Sequence, residues 1–362
     1  MKRIRWGILG TGTVAGHFAS ALAIVPNADL HAVASRSGDR ARSFARDFGI
    51  KRGYGSAQEL FEDDAVDVVY VATPNTTHKD LVILALEHGK AALCEKPFAL
   101  TGEEARAIAD VARRTGRFCM EGMWMRFVPL MRELTSIVRT AAIGPLHLVT
   151  ASLGFPYSPD GTSRLFDPAL GGGVMLDLGV YTLSFTSQFL GRPSDIVTRA
   201  VIGATGVDEQ ASVLLGFPSG AQACLCASFR CRLSNTGTLH GSKGVLRVAE
   251  PLYCPESATI ERTAPHGTRG PETHRLRRLD RLRHLPLVRD AYTRLRRARA
   301  ETVVCRRRLG NGYAHEALEV MRCLDENARE SPIMPLDESV AIMETMDRIR
   351  SLWTCDSNSR GA

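Results

Sequence analysis

The sequence predicts an α/β domain with a doubly wound parallel sheet over residues 1–122, followed by an α+β domain with a largely antiparallel open sheet over residues 123–362. In the first region, short apolar runs alternate with helical stretches, a rhythm typical of strand–helix–strand units. In the second region, β-like stretches follow one another through turns such as Phe217-Pro218-Ser219-Gly220, which favours antiparallel pairing. A chain of 362 residues also fits two domains at roughly 150 residues each.

The elements of the first domain are separated by glycines and polar turns. The helix near Thr101 begins with the capping box Thr101-Gly102-Glu103-Glu104 and ends before Gly116. Apolar runs predict strands at 4–9, 30–34, 66–72, 91–94 and 118–120, and apolar periodicity predicts helices at 13–24, 39–48, 77–88 and 101–115.

The second domain combines strands with three helices. A last helix, about 336–353, can pack back on the first domain. The other predicted elements are β-like stretches at 147–153, 196–202, 210–215, 221–228 and 237–239, and helices at 174–190 and 313–329.

Residues 262–312 are interpreted as a long insertion that carries the basic character of the chain. Residues 262–308 hold 15 Arg, no Lys and 4 acidic residues, a balance of 15 − 4 = +11, so the rest sums to 7 − 11 = −4. A basic run is most often a solvated face, but it can also bind an anionic substrate group or another macromolecule. Its densest parts are 275–278, 294–297 and 306–308.

Composition narrows the class of protein. The chain has no apolar run of about 18 residues or more, and glycine follows its first apolar run too soon for a signal peptide, so we expect a cytoplasmic protein without a membrane span. None of the nine cysteines forms a Cys-x-x-Cys pair. Cys224 and Cys226 alternate in a strand-like stretch, so we expect reduced, mostly buried thiols and no metal site.

A glycine motif lies between the first predicted strand and helix. Gly10-Thr11-Gly12-Thr13-Val14-Ala15 follows the pattern G-x-G-x-x-A. Its glycines permit a sharp turn and close approach of backbone N–H groups to a pyrophosphate, which the helix N-terminus also attracts. Within a strand–turn–helix unit this motif predicts dinucleotide binding.

The end of the second strand indicates which dinucleotide binds. Enzymes that use NAD usually place an acid there for the ribose 2′-hydroxyl. This chain has Ser35 and Arg36, with no acid before Asp39 and with Arg40 nearby. A hydroxyl and a planar guanidinium suit a 2′-phosphate, so we predict NADP(H); the alternative is that Arg36 is a solvated surface residue.

Three further segments combine polar residues with positions at the edge of the predicted sheet. Cys94-Glu95-Lys96-Pro97 ends a parallel strand, where ligands bind in such sheets, and its Lys96–Pro97 bond is a candidate for the cis form. The second segment, 120–129, contains Trp124, Arg126 and Phe127 at the domain crossover. The third, 171–181, begins with three glycines and places Asp177 and Tyr181 on one helix face.

Together these motifs resemble the glucose–fructose oxidoreductase/inositol dehydrogenase/MocA family. Within it the chain is most similar to the dimeric trans-dihydrodiol dehydrogenases, which are also NADP-dependent D-xylose 1-dehydrogenases. The resemblance covers about 3–260 and 313–352, and residues 262–312 depart from it because the family's link there is much shorter. The matching text is Glu-Lys-Pro at 95–97, Met-Glu-x-x-Trp-x-Arg-Phe at 120–127 and Leu-Asp-Leu-Gly-x-Tyr at 176–181, with support from 233–236, 241–244 and 253–255.

The resemblance implies an NADP-dependent oxidoreductase that moves hydride between nicotinamide and a CH–OH or C=O carbon of a sugar, sugar derivative or cyclic polyol. It also implies a homodimer formed through the open sheet. Lys96 and Tyr181 would be the catalytic pair, with Asp177 beside them. Thr73, Pro74, Asn75, His78, Glu95 and Lys96 would line the cofactor, as would Gly10 to Val14, and Trp124, Arg126, Phe127, Asp177 and Tyr181 would contact substrate.

The expected chemistry needs a group that takes the hydroxyl proton during oxidation. A free tyrosine has a pKa of about 10, and a nearby ammonium favours the phenolate. Either Tyr181 or a desolvated Lys96 can therefore serve as the base, while Asp177 orients the substrate hydroxyl or the lysine. His78 is more typical of a structural residue at a helix start than of a catalyst.

Two other functions stay open at this point. One is a nucleotide-sugar ketoreductase of a biosynthetic pathway, whose diphosphate would meet the arginines of 262–312. The other is a non-catalytic NADP-binding sensor or scaffold that uses those arginines to hold a partner. We do not expect nucleic-acid binding, because no motif of a nucleic-acid-binding fold is present.

Overall fold

The computed structural model describes residues 2–158, 163–263 and 301–357 and contains two sheets. The first sheet has six parallel strands in the order β3-β2-β1-β4-β5-β6, and the second has eight strands in the order β14-β13-β12-β11-β7-β10-β9-β8. The predicted fold class is therefore confirmed: a doubly wound parallel sheet is followed by a largely antiparallel one.

The first sheet is built from residues that are buried on both faces, as expected for parallel strands covered by helices. Val68, Val69, Tyr70 and Val71 of the fourth strand are all fully buried. The strands are β1 Ile4–Leu9, β2 Ala28–Ala34, β3 Arg52–Tyr54, β4 Val68–Val71, β5 Ala91–Glu95 and β6 Cys119–Gly122; the helices are α1 Thr13–Leu22, α2 Gly38–Phe48, α3 Ala57–Glu62, α4 His78–Glu87 and α5 Gly102–Thr115. The sequence patterns did not predict β3 and α3, which are three and six residues long.

The second sheet pairs its strands antiparallel except for β7 and β10, which are parallel. Helix α7 packs against one face of this sheet. On the opposite face, Val197 and Leu214 are exposed among the described residues. The elements are α6 Pro129–Arg139, β7 Leu146–Gly154, α7 Val180–Leu190, β8 Asp195–Ile202, β9 Asp208–Gly216, β10 Gln222–Ser228, β11 Gly237–Gly241, β12 Gly244–Val248, β13 Ser257–Arg262, β14 Glu301–Cys305, α8 Ala314–Asp325 and α9 Leu336–Ser357.

The C-terminal end of segment 262–312, interpreted as a long insertion, belongs to the second sheet. Residues 301–305 form β14, which pairs antiparallel with β13 at the edge of the second sheet. Arg306 then forms an ion pair with Glu133 at 2.6 Å. Arg308 donates to the carbonyl oxygen of Cys254 at 3.1 Å. The arginines at 275–278 and 294–297 lie outside the described residues.

The last helix, α9, lies against α5 of the first domain. Gly102 is required at the start of α5 because a Cβ there would come within 2.7 Å of Glu344 Cγ. The Gly102 N–H donates to Asp347 Oδ2 at 2.7 Å, and Arg106 pairs with Glu344. The chain thus returns to the first domain after completing the second sheet.

The predicted helix at 174–190 contains a wide turn. Residues Met175–Gly179 form a π-helical turn, and α7 continues from Val180. Such turns often occur at functional sites because they change which groups face a cleft. Here the turn contains Asp177.

Two findings bear on the expected environment of the protein. Within the described residues, no helix has the length and apolar character that crossing a membrane requires, and no group of His, Cys, Asp and Glu side chains is arranged to hold a metal ion. All eight described cysteines are free. Four are buried, two are half-buried on the outer face of β10, and Cys231 and Cys305 are exposed, so burial is less general than predicted.

Candidate active site

The glycine motif lies where β1 joins α1, and each glycine meets a different geometric need. Gly10 has φ of 120°, and a Cβ at this position would lie 2.4 Å from the carbonyl oxygen of Ala72. Gly12 precedes the helix, and a Cβ there would meet no described atom within 4 Å. The turn therefore closes tightly on β4 while leaving open space at the N-terminus of α1, an arrangement that fits a bound pyrophosphate.

The end of β2 presents cations rather than a carboxylate. Arg36 and Arg40 are exposed, and neither guanidinium forms an ion pair within the described part of the chain. The side chain of Asp39 points to Arg42, with which it pairs at 2.6 Å. Ser35 is held by its own N–H, which donates to the Tyr54 carbonyl oxygen at 3.2 Å. This arrangement fits a phosphate better than a ribose hydroxyl that needs an acidic acceptor.

The loop after β4 contacts both the lysine loop and the second domain. His78 is fully buried, and its two ring nitrogens lie 2.9 Å from the Pro97 carbonyl oxygen and 3.0 Å from the Thr73 carbonyl oxygen. Burial lowers the pKa of His78 despite these two acceptors. Asn75 donates to the Gly171 carbonyl oxygen at 3.1 Å. His78 and Asn75 therefore connect the loops of the site to one another, because their side-chain nitrogens lie within hydrogen-bond distance of backbone carbonyl oxygens.

The chemical centre is built around Lys96 and Asp177. The Lys96–Pro97 bond is cis, as the sequence suggested. Lys96 Nζ donates to the carbonyl oxygen of Asp177 at 3.0 Å and to its Oδ1 at 3.2 Å. Arg164 Nη2 also approaches Asp177 Oδ1, at 3.2 Å. Burial opposes charge on Asp177, but Lys96 and Arg164 outweigh it and lower the pKa of this carboxyl group.

Tyr181 lies directly beside the lysine. Lys96 Nζ is 4.8 Å from the centroid of the Tyr181 ring, so the ammonium faces the ring and not the hydroxyl. The hydroxyl oxygen accepts a hydrogen bond from Trp124 Nε1 at 2.7 Å. Because the indole nitrogen can only donate, the Tyr181 O–H proton stays available for a third group.

Lys96 is not among the main influences on the ionisation of the Tyr181 phenol in this structure. Burial is the largest effect and raises the pKa of Tyr181 well above its ordinary value. Tyr313 and Glu95 add to this increase, while the hydrogen bond from Trp124 opposes it. Tyr181 is therefore a neutral phenol near pH 7.

Aromatic side chains surround Tyr181 on the side of the second domain. Trp124 stacks on Tyr313 with ring centroids 4.5 Å apart and an angle of 8° between the planes. The ring centroid of Tyr253 lies 5.9 Å from that of Tyr181, and the ring centroid of Phe155 lies 6.3 Å from that of Tyr253. Such a wall suits the apolar face of a sugar or a carbocyclic ring.

The assignment of Arg126 and Phe127 to the pocket wall is not supported by their positions. Arg126 is 1% exposed, and it donates from Nη2 to Glu338 Oε1 at 2.7 Å and to the Ser184 carbonyl oxygen at 2.7 Å. Phe127 is 2% exposed and lies in the hydrophobic core. The structure thus uses Arg126 to tie the domain crossover to α7 and α9. Of the three predicted wall residues, only Trp124 contacts Tyr181 among the described hydrogen bonds.

Glu95 lies behind the lysine and away from solvent. Its Oε1 accepts a hydrogen bond from the Tyr70 hydroxyl, and its Oε2 accepts from the Lys96 N–H at 3.2 Å.

Sequence reasoning missed four residues of the site: Arg164, Tyr253, Tyr313 and Phe155. Arg164 and Phe155 have no motif of their own, and Tyr253 and Tyr313 reach the site only because the second sheet and α8 fold back on it.

Comparison with known proteins identifies relatives over almost the full chain. Residues 4–123 match the GFO/IDH/MocA model described as an oxidoreductase family with an NAD-binding Rossmann fold, and residues 131–247 match the GFO/IDH/MocA C-terminal domain. Trans-1,2-dihydrobenzene-1,2-diol dehydrogenase from Sus scrofa is 33% identical over 351 residues, which cover 96% of each chain. The enzyme of the same name from Homo sapiens is 32% identical over 353 residues, with 96% of each chain covered.

Solved structures share the fold at lower identity. A 3-ketoreductase from Actinomadura kijaniata, in complex with NADP and TDP-benzene, has a TM-score of 0.76 and 24% identity and covers 97% of this chain and 98% of its own. An aldose-aldose oxidoreductase from Caulobacter crescentus has a TM-score of 0.79 and 22% identity, with 97% of both chains covered. On the strength of the two domain matches and the full-length relatives, this chain belongs to the GFO/IDH/MocA family of oxidoreductases.

Proposed function

We propose that the protein is an NADP-dependent oxidoreductase acting on a CH–OH or C=O carbon of a sugar, sugar derivative or cyclic polyol. Residues 1–122 would bind the cofactor, and residues 123–362 would bind the substrate. The single observation that carries the proposal is the contact of Lys96 with both Asp177 and Tyr181 at the carboxyl edge of the parallel sheet. The relatives from Sus scrofa and Homo sapiens are named as dehydrogenases of a cyclic diol, which supports this substrate class.

The choice of NADP(H) rests on the end of β2. Arg36 and Arg40 supply cationic donors there, and no carboxylate is directed to the same place because Asp39 pairs with Arg42. A 2′-phosphate would gain charge-assisted hydrogen bonds from such groups. When bound, the nicotinamide supplies the hydride donor or acceptor.

Side chains of the site would orient the substrate and transfer the proton. Lys96 and Arg164 hold the Asp177 carboxylate as an anion, which is suited to orient a substrate hydroxyl. Tyr181, neutral and held by Trp124, offers its O–H proton to a carbonyl oxygen during reduction. Lys96, next to both groups, remains the second candidate for proton transfer.

The test measures oxidation of NADPH and reduction of NADP⁺ over aldoses, diketones, dihydrodiols and keto nucleotide-sugars, with NAD(H) in parallel. We expect turnover with NADP(H) on at least one substrate. Tyr181→Phe and Lys96→Met should each lower kcat about 100-fold or more while cofactor binding is retained. Lys79→Met, at a surface lysine on α4, is the matched control. Near-normal kcat in both active-site variants would contradict the mechanism.

Cofactor selection has its own test. Arg36→Ala should raise the KM for NADP(H) about tenfold or more and leave the KM for NAD(H) nearly unchanged, because only the former loses a charge-assisted hydrogen bond. Arg46→Ala, at an exposed arginine in the last turn of α2, serves as control. Equal losses with both cofactors would remove Arg36 from the 2′-phosphate site.

A homodimer formed through the open face of the second sheet is also proposed. Val197 on β8 is 60% exposed, and its antiparallel partner Leu214 on β9 is 49% exposed. Neighbouring apolar side chains on β8 extend this surface, since Val201 and Ile202 are 40% and 50% exposed. The wild type should sediment as a dimer and Val197→Asp as a monomer. A wild type that sediments as a monomer would refute the proposal.

A further inference from the structure

A second buried carboxyl group lies next to the lysine loop and has no role in the chemistry above. Glu316, on α8, is 0% exposed, and neither of its carboxyl oxygens has a hydrogen-bond partner in the described part of the chain. A Cβ placed on Gly122 would lie 3.4 Å from Glu316 Oε2 and 3.5 Å from Glu95 Cα. Glu316 therefore reaches from α8 to the ends of β5 and β6, beside Glu95.

The hydrogen bonds distinguish the two acids. Glu95 accepts on both oxygens, from the Tyr70 hydroxyl and from the Lys96 N–H, and a carboxylate is the form that accepts on both sides. Glu316 receives no such donors. Two adjacent carboxyl groups in a buried site cannot both be ionised at modest cost, because like charges repel strongly in a low dielectric.

We propose that Glu316 holds a proton while Glu95 carries the single negative charge, and that Glu316 is thereby a positioning residue for the Lys96 loop. This inference rests on the proposed function, because the loop matters through Lys96. With Glu316 neutral, Glu95 keeps its bond to the Lys96 N–H, and one negative charge lies behind the lysine. With both acids ionised, repulsion would displace Glu95 and with it the start of the loop.

Other titratable groups around the pair agree with this distribution of charge. The phenols of Tyr70 on β4 and Tyr313 before α8 face the two acids, and both stay protonated because burial raises their pKa values. Burial raises the pKa of Glu95 as well, but the hydrogen bond from Tyr70 and the charges of Lys96 and Arg164 oppose this increase. Burial, followed by the charge of Glu95, raises the pKa of Glu316 well above its ordinary value.

The first experiment detects the proton directly and does not depend on turnover. The infrared difference spectrum of wild type minus Glu316→Gln, recorded on the full-length proteins in D₂O at pH 7, should contain the C=O stretch of one protonated carboxylic acid. Other buried acids, such as Glu121, absorb in both proteins and cancel in the difference. The same difference taken with Glu326→Gln, near the end of the same helix and on its surface, should lack that band. A difference spectrum of wild type minus Glu316→Gln that lacks this band overturns the proposal whether or not a substrate has been found.

The second experiment tests the positioning role through the pH profile. Gln is a neutral isostere of the protonated acid, so Glu316→Gln should retain kcat within about threefold at pH 7 and should extend activity towards alkaline pH by about one unit or more. If a neutral residue is sufficient there, Glu316→Leu should share that extension even where its kcat is lower. A kcat loss of about tenfold or more in a folded Glu316→Gln, or an unchanged alkaline limb in both variants, would show that Glu316 acts as an anion or as simple packing.

Discussion

Glu121, on β6 just before the domain crossover, should make the stability of the protein depend on pH. Its side chain is 1% exposed. One oxygen accepts a hydrogen bond from the Phe98 N–H at 3.2 Å, and the other has no partner among the described residues. Burial raises the pKa of Glu121 from 4.5 to about 7, although the charge of Arg126 opposes this. We therefore consider the substitution Glu121→Gln, which removes the charge and keeps the shape.

The sign follows from the number of protons that each state binds. Between pH 4.5 and 7 the folded protein keeps the Glu121 proton and the unfolded chain loses it, so the free energy of unfolding falls as pH rises through this window. A difference of 7 − 4.5 = 2.5 units corresponds to about 3 kcal/mol at 1.36 kcal/mol per unit. Below this window the acid is neutral in both states, and above it the full cost of a buried charge is present.

The assay compares the unfolding of wild type and Glu121→Gln at several pH values from 4.5 to 8. The difference in unfolding free energy should grow in favour of the variant by about 3 kcal/mol across this range and then level off. Glu103→Gln, at an exposed position on α5, controls for the loss of one negative charge. A difference that stays constant with pH, or that grows in favour of the wild type, would refute the reasoning.

Three shorter predictions concern other parts of the structure. Gly10→Ala should abolish binding of NADPH, measured by its fluorescence, because a Cβ would meet the Ala72 carbonyl oxygen at 2.4 Å; retained affinity would contradict it. Glu338→Ala should lower the free energy of unfolding by about 3–5 kcal/mol in denaturant titration, since it leaves Arg126 buried and unpaired. Trp124→Phe should lower kcat about two- to tenfold in the steady-state assay, since it deletes the 2.7 Å hydrogen bond to the Tyr181 hydroxyl.

Local patterns predicted the fold class, which the structure confirms, and they also singled out Lys96, Asp177 and Tyr181, which lie together in the structure. The glycine motif, the Glu-Lys-Pro segment and the helix with Asp177 and Tyr181 are each contiguous in sequence, and each has a defined place relative to a strand or helix. Because the carboxyl ends of parallel strands share one edge, the sequence could anticipate that Lys96 would lie in the cleft. The short elements β3 and α3 carry too few residues to produce a periodic pattern.

Long-range partners explain most of the errors. Arg126 follows an aromatic residue in a motif that suggests a pocket wall, but its ion-pair partner Glu338 lies 212 residues further along the chain. Nothing near residue 126 indicates that the guanidinium will be buried. Glu316 shows the same limitation, because Glu95 is far from it in the sequence. Only the folded chain brings Glu316 next to Gly122, which pairs with Glu95 at the ends of β6 and β5.

The position of Tyr181 links the burial of the site to the direction in which the proposed reaction proceeds most readily. The Trp124 indole occupies an acceptor position of the phenol and leaves its O–H proton free, while burial keeps that proton bound near pH 7. A carbonyl substrate can therefore take the proton directly during reduction. Oxidation of an alcohol requires a deprotonated base first, so its rate should rise with pH until that group is ionised, whereas the rate of reduction should not. Asp177, which stays charged beside Lys96, has no proton to donate, so the candidates for the proton donor in reduction are Tyr181 and Lys96.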